Sequence, residues 1–443
     1  MLLFRLTLRH GVVIGALMLA ACSGSATDSL ADGGLADGGH ADGGLSDGGA
    51  ADSGTPDAGT ADGGSHANGD AYLPWEGGPA YYAQWAHGPP SDPNHFPLAV
   101  WLQSPDNAQA YKDIGVNTFI GLWNGTTDAE LSTLTSAGMP VMSDQNEDWS
   151  SHLDDPILQG WTQQDEPDNA QDDGNGGYLP CVDPSVIQSR YQTFTANDST
   201  RPVFLSFGQG AAWDGWYGRG TCTGDTASYS EYAKGGDILS FDIYPVNSTD
   251  SEVQNKLWMV AQGVDHVRAY SNNEKPVWVW LETTGYNDPS GTPSAAQIRA
   301  ETWMALVHGA RGIGWFCHIF SPSFDETGLL DVPESKAEVA SLDAQITALA
   351  PVLNTQSLAN GATVSSSNAA VPVDTMVKRQ GGALYVFAVA MRPGTTTATF
   401  TVRDQGSGHV EVLGESRSLT LSGGSFQDPF AADYTVHLYK ITE

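Results

Sequence analysis

The chain has 443 residues, with 52 acidic against 19 basic side chains and a formal charge of -33. That length allows two or three domains, one of them with a large core. The acidity excludes nucleic acid as a partner, because phosphates draw Lys and Arg, and it suits an exported protein acting on a neutral or cationic substrate. Thirteen Trp offer flat faces that fit sugar rings, although Trp is also a frequent core residue.

Residues 1–22 read as a targeting segment. Arg5 and Arg9 precede an apolar run, Gly11 to Ala21, that is too short for a stable membrane span. The run ends Leu19-Ala20-Ala21-Cys22-Ser23, which resembles a bacterial lipobox. The resemblance implies that Cys22 is lipidated and becomes the mature N-terminus. The protein would then be lipid-anchored at a bacterial membrane, on the cell surface or in the periplasm.

Residues 23–71 read as a disordered Ala/Asp/Gly-rich linker. A drifting five-residue repeat runs through Leu30, Leu35, His40 and Leu45, each followed by a small residue and Asp-Gly-Gly. Such a segment buries no core, and its recurring Asp keeps it extended, as a tether would need to be. The nonapeptide spacing of calcium-binding repeats is missing.

From residue 72 to 351, short apolar runs alternate with helical patterns after a Pro- and aromatic-rich lead-in. The strands are predicted at 98–102, 118–122, 140–142, 160–164, 203–207, 238–243, 277–281 and 312–318. Helices are predicted at 106–114, 128–137, 186–195, 252–269, 295–308 and 336–350. This alternation predicts an α/β fold with a parallel sheet, and eight strands in about 255 residues fit a (β/α)8 TIM barrel, typically roughly 250 residues long. A doubly wound sheet would need a phosphate-type turn after the first strand, and Gln103-Ser-Pro-Asp is not one. Residues 352–443 change texture. Strands at 375–378, 383–390, 397–403, 409–414, 417–421 and 434–440 predict a small C-terminal antiparallel β-sandwich.

Of four Cys, Cys181 and Cys222 stand in Gly-rich loops of an exported chain and suit a disulfide. Cys317 stands in an apolar run and reads as a buried thiol. No Cys/His spacing suits zinc, and no metal or organic cofactor is expected.

Two stretches carry the chemistry. One is Trp161-Thr-Gln-Gln-Asp165-Glu166-Pro167-Asp168, and the other is Val277-Trp-Val-Trp-Leu-Glu282. Each is an apolar strand that ends abruptly in acid. Catalytic side chains of a barrel stand at the C-terminal ends of strands. Glu166 after strand four and Glu282 after strand seven are therefore expected over one cleft. Two facing carboxylates are the equipment for glycoside hydrolysis, with retention at a separation of roughly 5–5.5 Å and inversion at roughly 6.5–9.5 Å.

The arrangement resembles clan A of the retaining glycoside hydrolases, (β/α)8 barrels of the family 42-like and family 5-like kind. The resemblance covers roughly residues 95–350, and 303–314 resembles the family 42-like β-galactosidases. It implies that Glu166 is the acid/base, Glu282 the nucleophile, Tyr244 a hydrogen-bond partner of the nucleophile, and Trp315 an aromatic floor. It also implies a β-linked oligo- or polysaccharide substrate. Asp165 stands where the clan usually has Asn, and 117–123 lacks the Arg often found near the nucleophile. A like charge at Asp165 would raise the pKa of Glu166, which suits a general acid.

Other candidates keep two readings. Asp165 and Trp123 are expected to contact substrate, and His318 either lines the cleft or packs in the barrel. Trp213 and Trp216 form either a stacking platform or loop packing. Asp144, Asn146, Glu147 and Asp148 bind substrate or are merely solvated. Asp242 is expected to pair with Arg311 or Arg268 in the core. The whole reads as a monomeric retaining glycosidase, touching the membrane through its lipid anchor alone. The alternatives are a catalytically inactive carbohydrate-binding barrel and an inverting or α-specific hydrolase.

Overall fold

A computed structural model describes residues 71–443, except Trp75, Glu76 and Glu147. The targeting segment with Cys22, the linker up to residue 70, and Glu147 lie outside the described residues.

Eight strands form a closed parallel barrel in chain order. They are β1 (Leu98–Trp101), β2 (Thr118–Ile120), β3 (Val141–Ser143), β4 (Leu158–Thr162), β5 (Val203–Phe207), β6 (Ile238–Asp242), β7 (Val277–Glu282) and β8 (Gly312–Phe316). The helices are α1 (Ala108–Lys112), α2 (Asp128–Ala137), α3 (Pro184–Asn197), α4 (Ser228–Tyr232), α5 (Met259–Tyr270), α6 (Ala295–Val307), α7 (Gly328–Asp331) and α8 (Pro333–Leu353). Local signals set their ends. The Thr127 hydroxyl accepts from Glu130 N at the start of α2, and Gly138 closes it at φ 62°. Ser294 and Gln297 form a capping box on α6. The fifth helix begins later than its sequence pattern, because Asn255 at φ 59° breaks the chain before Met259.

Side-chain volume on neighbouring strands explains how the barrel closes. Trp278 and Trp280 of β7 fill the interior with Ala99, Ile120, Met142, Phe204 and Ile238. They pair in register with Gly312 and Gly314 of β8. A Cβ at either glycine would come within 2.4 Å or 2.3 Å of the facing indole, so the two glycines make room for two tryptophans. The lead-in forms a 3-10 helix, Pro79–Gln84, that plugs the opposite end from the site. Tyr82 joins the interior cluster, and its hydroxyl accepts from Trp278 Nε1 at 3.1 Å.

Strands β9 (Ala362–Ser366), β10 (Val373–Gln380), β11 (Ala383–Ala390), β12 (Thr396–Val402), β13 (Ser407–Val412), β14 (Arg417–Ser422), β15 (Ser425–Phe430) and β16 (Val436–Thr442) form one antiparallel sheet in the order β10-β11-β16-β13-β14-β15-β12-β9. It rolls over its own core, which includes Val386, Phe400, Phe430 and Tyr439. The sequence pattern anticipated six of these strands. It missed β9, which is short and rich in small polar residues, and β15, which contains Pro429. Pro429 is tolerated because β15 pairs with β14 only at Ser422↔Ser425, so no ladder on that side needs its missing N–H. Helix α6 is wedged between barrel and sheet, with Trp303 packing on Phe387 at 5.2 Å. Burial on both sides explains why residues 300–306 are buried all round the helix.

Candidate active site

At the C-terminal mouth of the barrel, the turn after β4 carries Asp165, Glu166, Asp168 and Asn169. Glu166 has φ 41°, a left-handed conformation that costs a non-glycine residue roughly 1–2 kcal/mol. Several contacts hold it there. Glu166 N donates to Ser206 O at 3.1 Å. Asn169 Nδ2 donates to Glu166 Oε2 at 3.0 Å, and Trp216 Nε1 fixes Asn169 by donating to its Oδ1 at 2.9 Å. Buried Asp168 accepts from Gly208 N at 3.0 Å and Tyr229 OH at 2.8 Å. The Cys181–Cys222 disulfide joins the segment after β4 to the segment after β5, the two segments that carry Glu166 and Trp216.

The carboxyl that Glu166 meets is Asp242, the last residue of β6. Asp242 stands between Glu166 and Tyr244, and the three groups shift one another's ionisation. Burial, then the Asp242 and Asp168 carboxylates, push Glu166 well above the usual range. Burial, then the Asp165 carboxylate, push Asp242 up to about 7. Both carboxyls are therefore pushed toward the protonated form, Glu166 the more strongly. Asp165 is exposed to the cleft. Dense surroundings and the adjacent Glu166 raise its carboxyl as well, and water reaching it screens that rise. Asp242 Oδ1 and Trp280 Nε1 are both buried without a hydrogen-bond partner. They belong to residues paired in register on β6 and β7, so an acceptor and a donor stand side by side at the cleft floor.

Asp242 does not pair with either arginine. Arg311 donates to Leu353 O and Arg268 to His308 O, both away from the mouth. The sequence did hold a signal: in Phe241-Asp242-Ile243-Tyr244, two polar groups alternate with apolar ones, which puts Asp242 and Tyr244 on one face.

Glu282 ends β7, but its carboxylate is directed elsewhere. Oε1 accepts from Val246 N at 2.6 Å, and Oε2 from Asn247 N at 2.9 Å and Asn247 Nδ2 at 2.6 Å. It also acts on the carboxyl of Glu301 on α6, whose two oxygens are buried without a hydrogen-bond partner. Both glutamates have no exposed surface. Burial, then the Glu282 charge, hold Glu301 well above the usual range. Burial pushes Glu282 itself up to about 7 although three N–H donors favour its ionised form, and Glu301, without such donors, is held protonated the more strongly. The fold thus brings Glu166 together with Asp242 and Tyr244, and Glu282 together with Glu301.

The other expected residues divide. Trp315 is fully buried, and its Nε1 donates to Asp343 of α8 at 3.1 Å. It packs outside the barrel and is not a cleft floor, because alternation along β8 turns Phe316 to the mouth instead. Phe316 lies 5.0 Å from the Tyr244 ring. Trp213 and Trp216 are buried and pack on each other at 5.4 Å. Trp213 is tied to Glu252 at 2.8 Å, so the pair is loop packing and no open platform. His318 is buried, with Nε2 on Leu102 O at 2.9 Å, and it stacks beneath Trp123 at 5.8 Å. Asn146 Nδ2 donates to Thr126 O at 3.0 Å, and the Asp144 carbonyl accepts from Thr126 Oγ1 at 2.9 Å. Those contacts stitch two loops together. Cys317 is a buried free thiol. No cluster of His, Cys, Asp and Glu suited to a metal occurs among the described residues.

No protein-family model and no curated protein matches the chain. Several solved structures align with much of the chain. A GH30 endoxylanase from Clostridium papyrosolvens aligns with 79% of this chain and 96% of its own at 12% identity and a TM-score of 0.45. An α-galactosidase from Mortierella vinacea covers 79% and 97% at 11% identity and 0.47. A maltogenic α-amylase from Thermotoga neapolitana covers 79% and 99% at 9% identity and 0.46. At such values the chemistry has to be argued from the site itself.

Proposed function

We propose that the protein is a glycoside hydrolase in which Glu166 donates the proton to the leaving oxygen and Asp242 is its partner carboxylate. The observation that carries this reading is the meeting of Glu166, on a strained and braced turn, with Asp242 at the end of β6 at the barrel mouth, both carboxyls pushed up chiefly by burial. A glycosidic oxygen entering between the two carboxyls takes the Glu166 proton. Once the entering sugar parts the two carboxyls to the separation that hydrolysis needs, Asp242, left ionised, faces the positive charge that develops on the sugar or activates water toward it. Tyr244 orients Asp242.

A second reading follows the clan A resemblance: a β-retaining double displacement with Glu282 as nucleophile. Its position at the end of β7 favours that role. Its full burial on Val246, Asn247 and Glu301 means that the loop after β6 must then open. Asp242 needs only that its side chain and that of Glu166 part.

The test is sugar release by the full chain from a panel of α- and β-linked glycans and aryl glycosides, with product anomers followed by NMR. Glu166→Gln and Asp242→Asn are each expected to lower kcat by about 10²–10⁴-fold. Full activity in Asp242→Asn, with loss in a folded Glu282→Gln and retention of configuration, favours the second reading. No release from any substrate by the wild type sinks hydrolysis altogether and leaves the inactive binding barrel.

A further inference from the structure

The exposed apolar surface of the protein is concentrated around the site. The large hydrophobic side chains most exposed among the described residues are Tyr178, Leu179, Val186, Tyr217, Phe320 and Phe324. All but Val186 stand in loops at the C-terminal mouth of the barrel. Two of them continue directly from the carboxyl pair. Tyr244, two residues beyond Asp242 on the same face, lies 5.0 Å from Phe316, Phe316 lies 6.3 Å from Phe320, and Phe320 stacks on Phe324 at 5.8 Å and 29°. Phe324 then meets Trp123 edge-on at 5.7 Å. Exposure grows outward along this strip: Tyr244 and Phe316 are half-buried, Phe320 is 44% exposed and Phe324 53%.

The strip is braced from below. Phe320 N donates to Tyr286 O at 2.6 Å. Glu326 accepts from Trp123 Nε1 at 2.6 Å, Ser104 N at 3.1 Å and Asn107 Nδ2 at 3.0 Å, which ties the loop after β8 to those after β1 and β2. Two phenyl rings held in water on a tied loop lose apolar burial that a floppy loop would recover by folding inward. Exposed apolar surface of this kind marks a binding site. The charge of the surroundings selects the occupant. Segments 101–107, 163–182, 283–294 and 317–327 contain no Lys or Arg, but they contain Asp165, Glu166, Asp168, Asp172, Asp173, Asp288, Asp325 and Glu326. An anionic glycan would be repelled there.

Resting on the glycosidase reading, we propose that Phe320 and Phe324 stack successive sugars of a neutral oligo- or polysaccharide chain leading into the Glu166–Asp242 pair. The preferred substrate is then a chain of several sugars and not a small glycoside. Sugars remote from the broken bond supply binding energy, so efficiency rises with chain length.

The experiment compares full-length wild type with Phe320→Ala, Phe324→Ala and the double variant in two assays. In the first, kcat/KM is measured along a ladder of neutral oligosaccharides of increasing length and on an aryl monoglycoside. The expected result is a loss that grows with chain length, about fivefold to tenfold per ring removed on the longest members. A loss equal at every length, or no loss, overturns the proposal. In the second, retardation of each protein is measured in native gels containing soluble xylan, β-glucan, galactomannan or starch. Should no hydrolysis be found, retardation of the wild type that the double variant loses upholds the strip while hydrolysis fails. Equal mobility of all variants in every gel overturns the strip and turns the two phenyl rings toward a protein partner.

Discussion

Two pairs of carboxyl groups are buried at the end of this barrel, and neither has Lys or Arg as a hydrogen-bond partner. Glu166 and Asp242 meet in the mouth, half-buried, beside an unpartnered acceptor and donor. Glu282 and Glu301 meet with no exposed surface, and backbone amides occupy the ionised partner. Each pair keeps one proton because two charges at that distance in a poorly hydrated place are too costly. The difference lies in what can approach. The first pair is partly open at the mouth, whereas only protein touches the second. A strong shift in pKa therefore marks both pairs, and accessibility separates chemistry from structure.

The sharpest division between the pairs is catalytic. Glu166→Gln is expected to remove activity by about 10²–10⁴-fold while thermal unfolding stays near that of the wild type, since Gln keeps the shape and a donor. Glu282→Gln is expected to do the reverse. Its amide would point a donor at Val246 N or Asn247 N, costing about 2–3 kcal/mol in urea unfolding, with kcat per folded molecule within about tenfold of wild type. If both variants lose activity equally and remain equally stable, the comparison breaks.

Next in size is a pH effect on stability. The folded pKa of Glu301 is raised above the unfolded one, so the folded state holds a proton that the unfolded state releases. Stability is then greatest below the ordinary Glu value. It falls as pH rises toward the raised value, by up to about 1.4 kcal/mol per pH unit for one such proton. Glu301→Gln, which copies the protonated acid, is expected to flatten that slope in unfolding measured from pH 5 to 8. An unchanged slope would mean that the proton sits elsewhere.

A smaller effect concerns Asp165. Its charge acts on Asp242, which must ionise for the proposed reaction. The acidic limb of the pH–rate profile is expected near the Asp242 value of about 7. In Asp165→Asn the limb should move to lower pH, because a like charge that hindered ionisation is gone. A limb that stays in place, or rises, would remove Asp165 from the site's electrostatics. Smallest of all is Trp315→Phe. It deprives Asp343 of an N–H donor and is expected to cost about 1–2 kcal/mol while kcat/KM stays within about twofold of wild type. A large catalytic loss would restore Trp315 to the cleft.

The barrel was legible in the chain because apolar strands and amphipathic helices repeat at the spacing a parallel sheet imposes, and eight such runs leave little other choice. The predicted strands fall on β1 to β8 within a few residues. The turn that carries Glu166 was legible too, as an acid-acid-proline break after an apolar strand. The carboxyl it meets was not. Asp242 and Glu282 both end strands in apolar runs, and one-dimensional pattern cannot tell which of two such acids turns to the mouth. That choice belongs to long-range contacts. The loop after β6 brings Val246 and Asn247 onto Glu282, while β4 and β6, far apart in the chain, bring Glu166 onto Asp242. Likewise Trp315 and Phe316 are neighbours in sequence with opposite fates, set by a half-turn of the strand and by Asp343 across from it. Local periodicity determines which elements form. Which side chains share the water-accessible end, and so what can react there, depends on packing between residues about forty to eighty positions apart, where loop closure and burial outweigh any preference the local chain expresses.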